Sequence, residues 1–579
     1  MFLQIELLYF VLMIATFIAL VLAAKMPSGL SLMISAIVGA VFSAIISKTP
    51  FELRYFVEGA FGYFDTILVI TAAMIFMGAM QASGALEYIS ALLVRTFRRV
   101  PALLLISFMI IIMFPAMVTG SSLASAISAG ALVAPIMIKW GIPKSKTGAI
   151  VALGSVLGMV APPVNVPAMV ICDVVDIPYT GFTLPLLLLA FPLAIVGVLL
   201  IGRKYVKPLS KEEVDCVVDT SVLKELNWTV CIPVIVLIAL IICEIIWPKI
   251  FGSLAMPAMF LISTIISFFV GRKLPFWVSP KKRKAKAEEE GITVEEYKER
   301  IDKNEKPDSV VGVFSQGVHK SFSAMGLLMG VGMFMEVIAS NGVRGFFVIN
   351  AISLPNAWKY VGMALTLPIF GGVSAFGSAS ILGGPFVMAL NGIADNIIVT
   401  AGLSLLAAVG EFLPPTAMSA SFAANIVGEK KWSKITKSAL PALLVMYVYG
   451  IIFVLAFGKA VQMKSMGANT TLYLFLIMIA IAILFAVIWE VLVRKVRFFS
   501  KCAYQVGTES TPFGVEGENA ASENVEEAVE RIADESPLAV TDEKTDEKAV
   551  TPAPAVSEEE VSPDDEGADN NDNTDKEDK

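Results

Sequence analysis

Three landmarks occur twice in this chain in the same order, and that doubling restricts the fold more than any other feature. Gly59, Phe76, Met77 and Gly84 return 258 positions later as Gly317, Phe334, Met335 and Gly342. Thr119-Gly120-Ser121-Ser122 is echoed by Phe376-Gly377-Ser378-Ala379-Ser380, and Ala161-Pro162-Pro163 by Leu413-Pro414-Pro415. Each copy sets a small polar turn and a later Pro-Pro break in apolar sequence. Two such copies are the pattern of a membrane carrier whose substrate and ions bind where the repeats meet.

Hydrophobic residues make up 56% of the 579 positions, charged residues 16%, and the mean hydropathy is +0.75. That is too apolar for a soluble fold and long enough for about ten or more spans, so the expected class is an all-α polytopic membrane protein. The net charge of -7 hides an asymmetry: residues 509–579 hold 24 acidic and 5 basic residues, leaving the rest at +12. Cys172, Cys216, Cys231, Cys243 and Cys502 have no CxxC or metal-ligand spacing and read as small apolar residues. The first apolar stretch follows Glu6 rather than a basic region and is long enough to span, which suggests an uncleaved helix.

Apolar windows at 2–23, 28–47, 63–88, 182–202, 229–247, 251–271, 312–340, 438–458 and 471–493 read as full spans. Lys and Arg cluster at 95–99, 139–146, 203–211, 272–286, 430–437 and 494–501, and these clusters should be cytoplasmic. The expected first repeat is 1–205, with a helical hairpin at 101–140 and a broken helix at 145–170. A connector, 206–228, leads to a second repeat, 229–460, with a hairpin at 357–394 and a broken helix at 396–424. The helix 63–88 runs toward Arg95 and its copy 312–340 runs away from the basic insert 272–308, so the repeats are expected to be inverted. Thr293 and Glu296 are spaced as a capping box within that insert. The tail 503–579 is acidic and poor in aromatics, hence expected to be disordered and cytoplasmic, with the N-terminus outside.

The candidate site lies in the turns and breaks. Around Thr119, Gly120, Ser121 and Ser122, glycine opens unusual backbone conformations, hydroxyls and freed carbonyls suit a hard cation, and the following N–H groups suit an anion. Gly377, Ser378 and Ser380 repeat the pattern. The plain alternative is close helix packing through small residues. Adjacent prolines remove two backbone donors, so the segments Gly158 to Asn165 and Gly410 to Ser419 must open, exposing carbonyls around Pro162 and Pro414. A simple kink is the alternative there. Asn165, Thr416 and Ser419 place polar side chains just beyond the breaks. Substrate contacts are therefore expected from Thr119, Ser121, Ser122, Asn165, Ser378, Ser380, Thr416 and Ser419. Sodium ligands are expected around Gly120, Ser122, Gly158, Pro162, Gly377, Gly410 and Pro414.

Glu411 stands three residues before Pro414, where the first repeat has Met159. A mid-membrane carboxylate costs roughly 2.5–3.5 kcal/mol, so it should face a cavity, a cation, a proton path or donors of the neighbouring backbone. His319 beside Lys320 reads as an interfacial residue. No GxxxxGK[ST], HExxH or GxSxG motif occurs, which leaves ATP coupling and intramembrane hydrolysis without a residue basis. No transition metal or organic cofactor is implied.

The turn at 119–124 with Pro135 and Gly141, then Gly158-x-x-x-Pro162-Pro163, together with Pro385, Gly392, Gly410 and Pro414-Pro415, resembles the ion transporter superfamily. Within it, the chain resembles the large membrane subunit of tripartite ATP-independent periplasmic (TRAP) transporters over roughly residues 1–460. The resemblance implies an elevator-type carrier in a bacterial inner membrane, sodium coupling, and carboxylate substrates such as C4-dicarboxylates or sialic acids. It also implies a four-helix small membrane subunit and a periplasmic substrate-binding protein as partners. The span 471–493, the insert and the tail depart from the pattern. A stand-alone proton- or sodium-coupled anion carrier is the alternative, and an anion channel a further one.

Overall fold

The computed structural model describes residues 2–47, 52–208, 214, 221–246, 256–271, 273–296 and 307–458. The expected span 471–493, the tail 503–579, Cys216, Cys502 and parts of the connector and insert lie outside the described residues. Among the described residues there is no strand, and eight helices are long and apolar enough to cross a membrane. The chain is a polytopic α-helical membrane protein.

Helices α1 (Phe2–Leu22), α2 (Ser28–Ser47), α3 (Arg54–Phe61) and α4 (Phe64–Ser83) come first, and α5 is Ala85–Phe97. The helix expected at 63–88 therefore stops early. Gly84 takes φ 78°, a left-handed conformation that ends α4, and the chain restarts as α5. Then follow α6 (Pro101–Thr119), α7 (Ser122–Ser125), a π-helical turn, α8 (Ala131–Lys139), α9 (Lys144–Met159), α10 (Val166–Val175) and α11 (Thr183–Gly202). After α12 (Ile232–Ile246), α13 (Met256–Phe269) and α14 (Pro280–Glu290), α15 spans Val310–Ser340 and ends at Gly342, φ 73°, the repeat partner of Gly84. The last elements are α16 (Val343–Ser353), α17 (Asn356–Gly371), α18 (Ala375–Ser378), a second π-helical turn, α19 (Gly384–Leu390), α20 (Asn396–Val409), α21 (Met418–Ile426) and α22 (Trp432–Ile452).

Between helices in lipid there is little hydrophobic gain, so close contact through small residues decides which helices pair. A Cβ on Gly59 of α3 would stand 2.7 Å from the Cα of Met333, and one on Gly317 of α15 would stand 2.6 Å from the Cα of Ile75. Positions 59 and 317 are 258 apart, and so are 75 and 333. The two halves thus meet through one pair of positions used twice, early residues of one against late residues of the other. Gly29 of α2 adds a further backbone contact, since its Cβ would lie 2.6 Å from the carbonyl oxygen of Gly326.

The buried core does not separate by halves. One cluster joins residues of 94–214 with residues of 375–453, and the other joins 9–88 with 164–174, 226–260 and 328–454. Both regions that carry the breaks are held by helices from each half.

Candidate functional site

The two hairpins share one local design. In the first, α6 ends at Gly120, φ 64°, and Ser121 caps α7 by accepting a hydrogen bond from the Ala124 amide at 3.3 Å. In the second, α17 ends at Gly371 and Ser374 caps α18 by accepting from the Gly377 amide at 3.1 Å. Each capped turn runs into a π-helical turn, Ala126–Gly130 or Ala379–Gly383. This register corrects the expected echo: Ser121 corresponds to Ser374, and Ser378 corresponds to Ser125. Ser125 and Ser378 both donate from Oγ to a carbonyl of the first hairpin arm, that of Ile112 and that of Leu367. Gly377 lies inside α18 rather than at the tip.

The breaks are also built alike. Pro162-Pro163 and Pro414-Pro415 are both cis, and each break is stitched to its own hairpin. The Val164 amide donates to the Met117 carbonyl at 3.1 Å, and the Thr416 amide donates to that of Gly372 at 3.2 Å. Thr416 Oγ1 donates to the same Gly372 oxygen at 2.7 Å. Gly158 and Gly410 are contact points: a Cβ would stand 2.4 Å from the Met113 oxygen in one case and 2.2 Å from the Gly371 carbonyl carbon in the other. Gly120 abuts α10, since its Cβ would lie 2.3 Å from Val166 Cγ2.

Several carbonyls freed by the breaks already have protein donors. Asn165 Nδ2 donates to the Val160 oxygen at 3.0 Å, and the Tyr179 hydroxyl donates to that of Pro163 at 3.2 Å. At the second break the Leu413 amide donates to Gly410 at 2.7 Å, and Thr436 Oγ1 donates to Phe412 at 3.3 Å.

At the breaks, two side-chain ties cross between the halves. Ser122 Oγ, at the first hairpin tip, donates to Glu411 Oε2 at 2.7 Å, and Ser419 Oγ donates to the same oxygen. Asn165 caps α10 by accepting from the Ala168 amide at 3.0 Å, and its Nδ2 also donates to Ser404 Oγ on α20 at 2.8 Å. Glu411 is buried and pairs with no basic side chain among the described residues. Hydrogen bonds to a charged group contribute about 1.5–3 kcal/mol each. Two serine donors therefore offset the cost of about 2.5–3.5 kcal/mol for a carboxylate at membrane depth.

Thr119 is buried and locally satisfied, its hydroxyl donating to the Pro115 oxygen at 2.7 Å. Ser380 is wholly buried and makes no hydrogen bond of regular geometry, although the Tyr63 hydroxyl stands near it. No group of three His, Cys, Asp or Glu side chains among the described residues could hold a metal ion. Ser374, Ser404 and Tyr179 were not legible as site residues. Ser404 is one serine in an apolar helix, and Ser374 lies two residues before the apparent echo that begins at Phe376.

Capped turns and opened helices from both parts of the chain thus interlock within a polytopic helical membrane protein. The chain belongs to the family described as "Tripartite ATP-independent periplasmic transporter, DctM component", which matches residues 14–460. That family is one of transporters, and it is the large membrane component of a tripartite system. No curated protein sequence matches the chain.

Proposed function

We propose that this chain is the large subunit of a sodium-coupled importer of a small organic anion, a carboxylate such as a C4-dicarboxylate or a sialic acid. The observation that carries the reading is the cross-tie of Ser122 to Glu411 and of Asn165 to Ser404, which joins the first hairpin tip to the second break and the first break to α20. Their hydroxyl and carbonyl oxygens suit a hard monovalent cation, and the capped turns suit a substrate carboxylate. Glu411 acts as an organiser of the first tip, since its two serine donors suffice to hold it. The paired contacts of Gly59 with Met333 and Gly317 with Ile75 support inverted repeats. In an inverted-repeat carrier the hairpins and broken helices move together against the remaining helices, as in an elevator. The N-terminus lies outside and the acidic tail inside a bacterial inner membrane. A four-helix membrane subunit and a periplasmic binding protein complete the assembly.

Reconstituted protein, supplied with the binding protein and small subunit, tests the coupling. An imposed sodium gradient at constant pH should drive accumulation of labelled dicarboxylate or sialic acid, and Glu411→Gln should keep that response. Uptake that follows only a pH gradient and vanishes in Glu411→Gln would make the glutamate the coupling residue and end the sodium reading.

A further inference from the structure

We propose that residues 273–284 form a docking surface for anionic membrane lipid, a role independent of the transport site. The segment lies between α13 and α15 and is pinned to the start of α15. The Val310 amide donates to the Pro275 oxygen at 2.9 Å, and the Val311 amide donates to that of Phe276 at 3.4 Å. Arg283 adds a two-pronged ion pair to Asp308, Nε to Oδ2 at 2.9 Å and Nη2 to Oδ1 at 3.1 Å. Val278 and Ala287 are buried, whereas Phe276 and Trp277 are 74% and 63% exposed.

The first residues of a membrane-crossing helix sit at headgroup depth, and α15 is such a helix. Aromatic side chains exposed at that depth match the interfacial belt, where an apolar ring meets lipid and water together. Lys273, Lys281, Lys282 and Lys284 are exposed beside them. None of these lysines pairs with a carboxylate among the described residues, whereas Arg283 is committed to Asp308. Lysine stems can lie along the apolar boundary while the ammonium groups reach lipid phosphates. The acidic residues 509–579 could neutralise the lysines but give no reason for two exposed aromatic rings on the same segment. The combination of rings and lysines favours lipid.

The full-length protein in nanodiscs of phosphatidylcholine, with or without phosphatidylglycerol, provides the test. Native mass spectrometry after exchange into detergent should show phosphatidylglycerol retained in preference to phosphatidylcholine. The combined variant Lys281→Gln, Lys282→Gln and Lys284→Gln should lower that preference at least about tenfold, since each lysine near an anionic surface is worth severalfold. Brominated lipid should quench a fluorescence component that is missing in Trp277→Phe. These readouts do not involve uptake, so they stand or fall apart from the transport reading. An unchanged lipid preference in the triple variant, or a Trp277 quenched by aqueous iodide and not by lipid, overturns the proposal. So does lipid preference that arises only when residues 509–579 are deleted, with crosslinks from these lysines to the tail in the full chain.

Discussion

At the first break the polar centre is Asn165, whose amide caps α10, closes the Val160 carbonyl and reaches Ser404. The second break has Ala417 at that position, in a left-handed conformation with φ 42°, and its polar centre is Glu411, where the first break has Met159. Ser122 and Ser404, the partners across the halves, likewise correspond to Ala375 and Ala152. The backbone design is shared while each polar tie is made only once. Two related sites of unlike character result, one centred on an amide and one on a carboxyl group. Two turns and two breaks of like backbone thus carry unlike polar groups.

The strongest challenge to that comparison is to move the charge. Met159→Glu places a carboxylate in the first break, where no serine pair awaits it, and an unpaired buried charge should cost about 3–5 kcal/mol. Glu411→Met should cost clearly less. Thermal unfolding in detergent would show it, and equal losses would mean the two breaks are chemically interchangeable.

Next in size are the backbone contacts. Gly158→Ala and Gly410→Ala each push a methyl group to within 2.4 Å or less of backbone atoms, so both should lose about 1–3 kcal/mol or more. Comparable melting shifts would sharpen the equivalence of the breaks, and a loss at one glycine alone would break it.

The cross-ties follow. Ser122→Ala leaves the Glu411 carboxylate with one serine donor, and Asn165→Ala removes a cap and a contact to Ser404, each change worth about 1–3 kcal/mol. Sodium-driven uptake should fall in both, but only Ser122→Ala should be partly rescued by Glu411→Gln, which removes the stranded charge. Absence of that rescue in transport and melting assays would show that the tie is incidental.

The smallest effects belong to the tips. Ser121→Ala and Ser374→Ala remove equivalent helix caps and should each cost about 1 kcal/mol, read as similar melting shifts. A large loss at Ser374 with none at Ser121 would unseat the register that pairs them.

Most apolar windows within the described residues were legible because the signal is local, a run of apolar residues becoming a helix, and so was the recurrence of Gly84 as Gly342, but not that Gly84, by taking positive φ, ends its helix before residue 88. The Pro-Pro breaks were legible for the same reason, since proline removes its own donor wherever the chain goes. The register of the second hairpin was not. Short Gly-Ser-Ala runs align in several ways, and only the cap on the Gly377 amide singles out Ser374. The close approach of Gly158 and Gly410 to the hairpin arms was equally hidden, because a glycine kept for packing and one kept for an exposed carbonyl look identical as letters.

The sequence by itself determined that the chain is a polytopic helical membrane protein and where the Pro-Pro breaks open it, because these follow from composition and from what proline does to its own backbone. Only the tertiary structure decided who meets whom. Glu411 finds Ser122 at a separation of 289 residues, and Asn165 finds Ser404 at 239. Those pairings depend on how tightly glycine-lined helices approach one another, a property of the packed assembly that no single stretch of chain contains.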